Sequence, residues 1–140
     1  MSTATAPGVP TRAAHRVAAA LADAWNAHDA AAVAALYAGH AVRHEHAAPA
    51  GVQHGRDEVA WAVADVMSCL GGLVVVPRSA QTTAHGLVLE WSLQGTVARA
   101  LPGRTVVRGR RVHVDGVSLL RLRGGEVAEE HLYWDASALR

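Results

Sequence analysis

Residues 112–135 read VHVDGVSLLRLRGGEVAEEHLYWD, and this stretch decides the fold. In its first half the even positions are apolar or small, whereas most odd positions carry histidine, aspartate or arginine, which is the period-two pattern of a half-buried strand. Gly124 and Gly125 form a predicted hairpin turn, and a last strand covers residues 126–135. We therefore predict two long antiparallel strands whose even-numbered residues point inward. On the last strand the inward residues are Ala128, Glu130, Leu132 and Trp134.

Three helices are predicted before this hairpin. The first covers residues 12–27, where apolar residues recur every four positions. A second, shorter helix has Asp29 as its N-cap and runs through Tyr37. The third begins at Gly55, with acidic residues in its first turn, where they favour the helix dipole. The predicted core residues of the helices are Val17, Leu21, Trp25, Val33, Leu36, Tyr37, Val59, Val63, Val66 and Leu70.

Further strands complete an α+β plan. A short strand is predicted over residues 41–46, between the second and third helices. Strands also cover residues 73–82 and 87–94, and in the latter the odd positions, among them Trp91 and Leu93, are expected to point inward. Helices followed by a run of antiparallel strands are typical of α+β domains.

The length and composition of the chain narrow its class. Its 140 residues fit one domain, predicted over residues 11–140 after a flexible tail at 1–10, with loops at 48–51 and 101–104. A net charge of +1 gives no argument for a nucleic acid or an anionic membrane as partner. No apolar run reaches the roughly 20 residues of a membrane span, and the start lacks the pattern of a secretory signal. The single cysteine, Cys69, suits a reducing cytoplasm.

Several strings, taken in order, resemble the nuclear-transport-factor-2-like superfamily, and within it the SnoaL-like group. They are WNAHD at 25–29, GRDE at 55–58, LEWSLQGT at 89–96, PGR at 102–104 and GEVAEEHLYWD at 125–135. The resemblance covers the chain from Arg12 onward. It implies a cone-shaped barrel, in which three N-terminal helices pack on a strongly curved, mostly antiparallel sheet around a pocket for an apolar small molecule.

The resemblance also implies where the catalytic groups of relatives fall. The last-strand aspartate of SnoaL-like cyclases maps to Leu132, and the histidine of the preceding strand maps to Ser118. The Arg-x-Asp of limonene-epoxide-hydrolase-like enzymes maps to Trp91 and Leu93. The carboxylate base of ketosteroid-isomerase-like enzymes maps to Glu45. The catalytic residues of the cyclase and of the epoxide hydrolase are therefore replaced in this chain. The ketosteroid-isomerase-like mechanism alone keeps its carboxylate base, at Glu45.

Glu45 is the leading catalytic candidate. A carboxylate in an apolar pocket has a raised pKa and becomes a competent general base near neutral pH. Arg43 shares its face and would hold the glutamate ionised, so a partly exposed ion pair is the alternative interpretation. The register of this strand stays open, because a shift by one residue would instead direct His44 and His46 inward as the acid–base candidates.

Glu130 interrupts an otherwise apolar inward face. A buried acid is costly unless it is paired, which suggests a role, although a strand end or bulge would let it reach solvent. A metal is conceivable where His44 and His46 follow His40 and precede His54, but no carboxylate or cysteine completes a recognised spacing, and we predict none. Phosphate-loop and dinucleotide-binding motifs are absent, so no cofactor is expected.

These candidates predict a cofactor-independent enzyme that isomerises, cyclises, dehydrates or opens an epoxide in an apolar, polyketide- or terpenoid-like substrate. The alternative is a non-catalytic small-molecule-binding protein or partner subunit of the same fold. The predicted catalytic residues are Glu45, His44, His46 and Glu130. The predicted substrate-binding residues are Trp25, Tyr37, Arg43, Trp61, Trp91, Leu93, Ser118, Leu132 and Trp134.

The outward face of the long strands predicts a homodimer. Val117, Leu119, His131 and Tyr133 make that face too apolar for a solvated sheet. Members of the superfamily that the chain resembles commonly pair through this face.

Overall fold

The computed structural model describes residues 11–47, 51–99, 106–135 and 137. The predicted tail at 1–10, most of the loop at 48–51 and the loop at 101–104 lie outside these residues. The described helices are α1 (Thr11–Asn26), α2 (Ala30–Ala34) and α3 (Gly55–Cys69). The described strands are β1 (Tyr37–Glu45), β2 (Gly51–His54), β3 (Leu70–Thr82), β4 (Gly86–Val97), β5 (Arg111–Arg123) and β6 (Glu126–Trp134).

The described strands form one sheet in the order β2-β1-β6-β5-β4-β3. Strand β1 pairs with β6 in parallel, and the other neighbouring pairs run antiparallel. Helix α1 packs on β3 and β4, while α3 packs on the sheet at β1. The α+β class is confirmed. The sheet is open rather than a closed barrel, because among the described strands β2 and β3 each pair on one side alone.

The second helix is shorter than predicted. Asp29 caps it as expected, and its side chain accepts a hydrogen bond of 3.0 Å from a backbone N–H three residues on. The helix ends at Ala34, however, and Tyr37 opens β1 instead of closing α2. The backbone N–H of Val127 donates to the carbonyl of Leu36 at 3.0 Å, which ties the chain to β6 at this point. Pairing with β6 therefore overrides the helical pattern.

The predicted register of the long strands is confirmed except at one residue. The inward positions of β4 and β5 are buried at Leu87, Leu89, Leu93, Val112, Val114, Ser118 and Leu120. On β6, Ala128 was expected inward, but Val127 takes the core position with 0% exposure. The register shifts between Arg121 and Leu122, which face Glu129 and Val127, so Ala128 has no partner. Such a bulge lets Val127 and Glu130 both point inward although they are three residues apart.

The core lies between the helices and the inner face of the sheet. The buried face of α1 is mostly alanine, with Ala14, Ala18, Ala22 and Ala24 around Leu21. Small side chains on this helix leave space above the sheet. No described helix is both long enough and apolar enough to cross a lipid bilayer.

Gly86 marks a very close approach between β4 and β5. A Cβ atom there would lie 1.7 Å from the carbonyl oxygen of Leu120, and backbone cannot move aside without breaking the pairing. We predict that Gly86→Ala lowers the free energy of unfolding by about 2–3 kcal/mol, measured by urea denaturation. Gly39→Ala is the control, because a Cβ at that exposed strand glycine meets nothing within 4 Å. Equal losses in the two variants would contradict this account of the sheet.

Candidate active site

A cavity lies between α1, α3 and the inner face of the sheet. Its volume is about 140 Å³. Every predicted site residue lines it except His44, His46 and Trp61. Most of the lining is apolar or aromatic, and the polar side chains are Tyr37, Arg43, Glu45, Ser118 and Glu130. This is the composition of a site that binds an apolar small molecule and orients it with a few polar groups.

Arg43 connects two carboxylates at the polar part of the cavity. Parallel pairing of β1 with β6 sets Arg43 directly opposite Glu130, and its Nε donates to Glu130 Oε1 at 3.2 Å. Its Nη1 lies 3.4 Å from Glu45 Oε1. The hydroxyl of Tyr37 donates a hydrogen bond to the same oxygen of Glu130. One guanidinium, one phenol and two carboxylates therefore form a continuous polar cluster.

Burial and charge fix the protonation of two members of this cluster. Burial by itself lowers the pKa of Arg43, but the adjacent Glu130, Tyr37 and Glu45 outweigh it, so the pKa is raised and the guanidinium stays charged. Burial and the negative charge of Glu130 raise the pKa of Tyr37 well above its ordinary value, although Arg43 opposes them. The phenol is therefore neutral and acts as a hydrogen-bond donor.

Glu45 is the more accessible of the two carboxylates. Its side chain is 24% exposed, against 7% for Glu130. Among the described residues none donates a hydrogen bond to it, and its contact there is the ion pair with Arg43. Both hydrogen bonds to Glu130 arrive at Oε1, which leaves the second oxygen without a donor among the same residues. Each carboxylate can thus accept a proton or a hydrogen bond from a ligand.

Trp91 and Ser118 form the wall on the other side of the cavity. The indole Nε1 of Trp91 donates to Ser118 Oγ at 3.1 Å, which leaves the hydroxyl proton of Ser118 free for another acceptor. The indole lies over Gly116, where a Cβ would come within 2.2 Å of the ring. Because Gly116 has no side chain at this inward position of β5, the indole of Trp91 fills the space that a side chain would take.

The structure corrects the placement of three predicted residues. Alternation along β1 directs Arg43 and Glu45 into the cavity, so His44 and His46 lie on the opposite face of the sheet. The register that the sequence left open is thereby resolved. Trp61 is 74% exposed and does not line the cavity.

The helical period explains the exposure of Trp61. The buried face of α3 is set by Val59 and Val63, and a residue midway between them points away from the sheet.

One polar neighbour of the site was not predicted. Gln53 on β2 accepts a hydrogen bond of 2.8 Å from Nη1 of Arg43. Residues 51–54 were not predicted as a strand, since this four-residue segment has too little pattern to identify. No local signal pointed to Gln53, because its role comes from the pairing of β2 with β1.

The helices on a mostly antiparallel sheet, with a cavity between them, define the nuclear-transport-factor-2-like fold. Residues 17–130 match the family model of the SnoaL-like domain. The chain belongs to the SnoaL-like domain family, as the sequence predicted. No curated protein sequence matches the chain.

Solved structures share this fold at low sequence identity. A hypothetical protein of Catenulispora acidiphila with a ketosteroid isomerase-like fold, in complex with trimethylamine, is 21% identical, with a TM-score of 0.74 over 88% of each chain. A protein of Jannaschia, proposed to be a SnoaL-like polyketide cyclase, is 17% identical, with a TM-score of 0.77 over 99% of this chain and 93% of that one. The epoxide hydrolase/cyclase-like enzyme SalBIII, which has a role in pyran ring formation in salinomycin, is 14% identical, with a TM-score of 0.74 over 91% and 94%.

The raised pKa of Tyr37 predicts a loss of stability at high pH. Below about pH 10 the phenol is protonated in both folded and unfolded chains, and its stabilising contribution is complete. Above that pH the unfolded chain releases the proton first, so stability falls by up to about 1.4 kcal/mol per pH unit until the folded pKa is passed. We predict that Tyr37→Phe loses this contribution to the pH dependence, measured as urea-unfolding free energies from about pH 8 to pH 11.

Tyr133→Phe is the matched control for this measurement. Tyr133 is the other tyrosine of the chain and lies on the opposite face of the sheet from Tyr37 and Glu130, so its removal should leave the contribution of Tyr37 to the pH dependence in place. If Tyr37→Phe kept the alkaline slope as well, the phenol would not be the buried, neutral donor described above.

Proposed function

We propose that this chain is a cofactor-independent enzyme that rearranges, cyclises or opens an apolar small molecule by proton transfer, with Glu45 as its general base. The observation that carries the proposal is the cluster in which Arg43 links Glu45 and Glu130 beside an apolar cavity. A general base must reach the proton that it removes and must be held in place without being blocked. Glu45 meets both conditions, since it lines the cavity and, among the residues that the structure describes, is held by its ion pair with Arg43.

A row of three residues defines where the substrate would lie. Leu132 on β6 is opposite Glu45 on β1 and opposite Ser118 on β5. Glu45 and Ser118 are therefore two strand spacings apart, about 10 Å between backbones. A substrate lying over Leu132 would have the carboxylate on one side and the serine hydroxyl on the other.

The two ends of this row have complementary roles in the proposed mechanism. Glu45 takes a proton from a carbon acid, a substrate hydroxyl or a water molecule, while negative charge develops on a substrate oxygen. The hydroxyl of Ser118 donates a hydrogen bond to that oxygen. Its proton is available for this because the indole of Trp91 donates to Ser118 Oγ and does not use the hydroxyl proton. Glu130, which accepts hydrogen bonds from Tyr37 and from Arg43, holds Arg43 from the other side and so fixes the position of Glu45.

Membership of the SnoaL-like family supports this class of chemistry but leaves the reaction open. The Jannaschia protein is proposed to be a polyketide cyclase, and SalBIII is described as epoxide hydrolase/cyclase-like. Ring closure and epoxide opening both require one group that removes a proton and another that supports a developing oxyanion. The polar groups of this cavity fit that requirement.

The mechanism predicts the effect of Glu45→Gln. Once turnover is found with a panel containing an aryl epoxide, a terpenoid epoxide and a β,γ-unsaturated ketone, the substitution should lower kcat by about 10²-fold or more. The fold should be retained, because Glu45 is partly exposed and the ion pair of Arg43 with Glu130 remains. The measurements are steady-state kinetics and the thermal midpoint of each variant.

Glu90→Gln makes the same chemical change at an exposed position of β4 and is the control. His44→Ala and His46→Ala should each cost less than Glu45→Gln, because both histidines lie outside the cavity. Near-normal turnover in Glu45→Gln would exclude it as the base. Wild-type protein that binds members of the panel without converting them would favour the non-catalytic binding protein.

We also propose that a second copy of the chain covers the outer face of β5 and β6. Leu119 and Tyr133 on this face are 40% and 45% exposed, and Val117 lies opposite Tyr133. Arg121 and Glu129, a cross-strand pair of opposite charge, flank this apolar block. Charges of both signs beside an apolar centre suit a two-fold interface. In such an interface the same patch of both copies is in contact, so the positive side chain of one copy can pair with the negative side chain of the other.

Sedimentation velocity at micromolar concentration tests this assembly. The wild-type chain should sediment as a dimer, and Leu119→Glu should shift it to the monomer by burying a charge at the interface. Trp61→Glu is the control, since Trp61 is a large exposed side chain on α3, away from the sheet. A wild-type monomer under these conditions would rule the interface out.

A further inference from the structure

The outer face of β1 and β6 carries a cluster of imidazoles that the cavity does not use. Parallel pairing sets His44 directly beside His131, with ring centroids 4.3 Å apart and planes within 1°. His46 stacks 5.1 Å from His131. Because His44 and His46 alternate with Arg43 and Glu45, they lie on the opposite face of the sheet from the cavity, together with His131, which pairs with His44. The cluster is therefore separate from the site described above.

Glu129 adds a carboxylate to this cluster. Its Oε1 lies 2.8 Å from Nε2 of His131 and 4.0 Å from Nε2 of His44. The three ligand atoms all lie within 4.8 Å of one another. The donors of a tetrahedral zinc ion stand about 3.4 Å apart, given metal–ligand bonds near 2.1 Å. The three side chains are 30–39% exposed, so they have room to change rotamer. Binding one ion requires the stacked rings of His44 and His131 to tilt out of their parallel arrangement, because an imidazole binds a metal through the lone pair in its ring plane.

The other ring nitrogen of His131 is also held. Its Nδ1 lies 2.8 Å from Nε2 of His46, a hydrogen bond that leaves Nε2 of His131 directed at Glu129. Histidines that bind metals commonly have their remote nitrogen fixed in this way, which sets the tautomer and the ring orientation. His46 is thus a positioning residue for His131.

We propose that His44, Glu129 and His131 bind a divalent transition metal of the zinc type. Two neutral imidazoles and one carboxylate are zinc ligands, and water completes a four-coordinate site at this partly exposed surface. The ligands come from two strands, so the metal would clamp β1 to β6. That pair is parallel, whereas the other described neighbours in the sheet are antiparallel.

Titration of the untagged full chain with zinc chloride, monitored by calorimetry, tests the site. Leu119→Glu is titrated beside the wild type, because the second copy proposed above would lie against Glu129 and His131. One zinc ion should bind per chain, and the thermal midpoint should rise because the metal binds the folded state. His131→Ala and Glu129→Gln should each weaken binding by at least about tenfold. Co²⁺ in place of zinc should give the visible absorption of a tetrahedral site, and His131→Ala should abolish it.

His113→Ala is the matched control. Nε2 of His113 lies 2.9 Å from Oδ1 of Asp115, a histidine–carboxylate contact like that of His131, but no third ligand atom joins them among the described residues. This variant should keep wild-type zinc affinity. His46→Ala should weaken zinc about tenfold while the Co²⁺ spectrum keeps its tetrahedral form, because His46 positions a ligand without being one.

Two results would overturn the proposal. One is the lack of saturable zinc binding up to millimolar concentration, in the wild type and also in Leu119→Glu, where a second copy cannot cover the face. The other is an equal loss of affinity in His113→Ala and His131→Ala, which would mean that zinc binds surface histidines without a built site.

Discussion

The buried ion pair between Arg43 and Glu130 is the interaction on which the cavity depends. Both residues are almost fully buried, at 4% and 5% exposure, and a charge removed from water costs several kcal/mol unless a partner offsets it. Parallel pairing of β1 and β6 sets the two residues directly opposite each other. A shift of one residue would direct Arg43 out of the cavity and leave Glu130 buried without its cation. The pair therefore fixes the register of β1.

That register determines both faces of the sheet at once. With Arg43 inside, Glu45 must also point into the cavity, and His44 and His46 must point out. On the outer face the same pairing brings His44 beside His131, which β6 contributes. The polar cluster of the cavity and the histidine cluster behind it are consequences of one alignment of two strands.

The sequence predicted β4 and β5 well because their apolar and polar residues alternate, so one face is identified without knowing the partner strand. It could not orient β1, because the run Arg43–His46 is polar at every position and contains no apolar signal for either face. The residue that decides the question, Glu130, is 87 positions away. The carboxylate of the proposed metal site, Glu129, was missed for the same reason. Both pairings are properties of the sheet and not of a local motif.

Stability is a weak explanation for the buried charges of this cluster. Replacing a buried ion pair by well-packed apolar residues is often neutral or stabilising, so the pair between Arg43 and Glu130 is weak as an explanation of stability. Its geometry instead presents a second carboxylate, Glu45, held through the same guanidinium and open to the cavity. Under the proposed function, the buried pair is the support that lets a carboxylate remain in place beside apolar walls. The position of Glu45, rather than stability, is then what the buried charges provide.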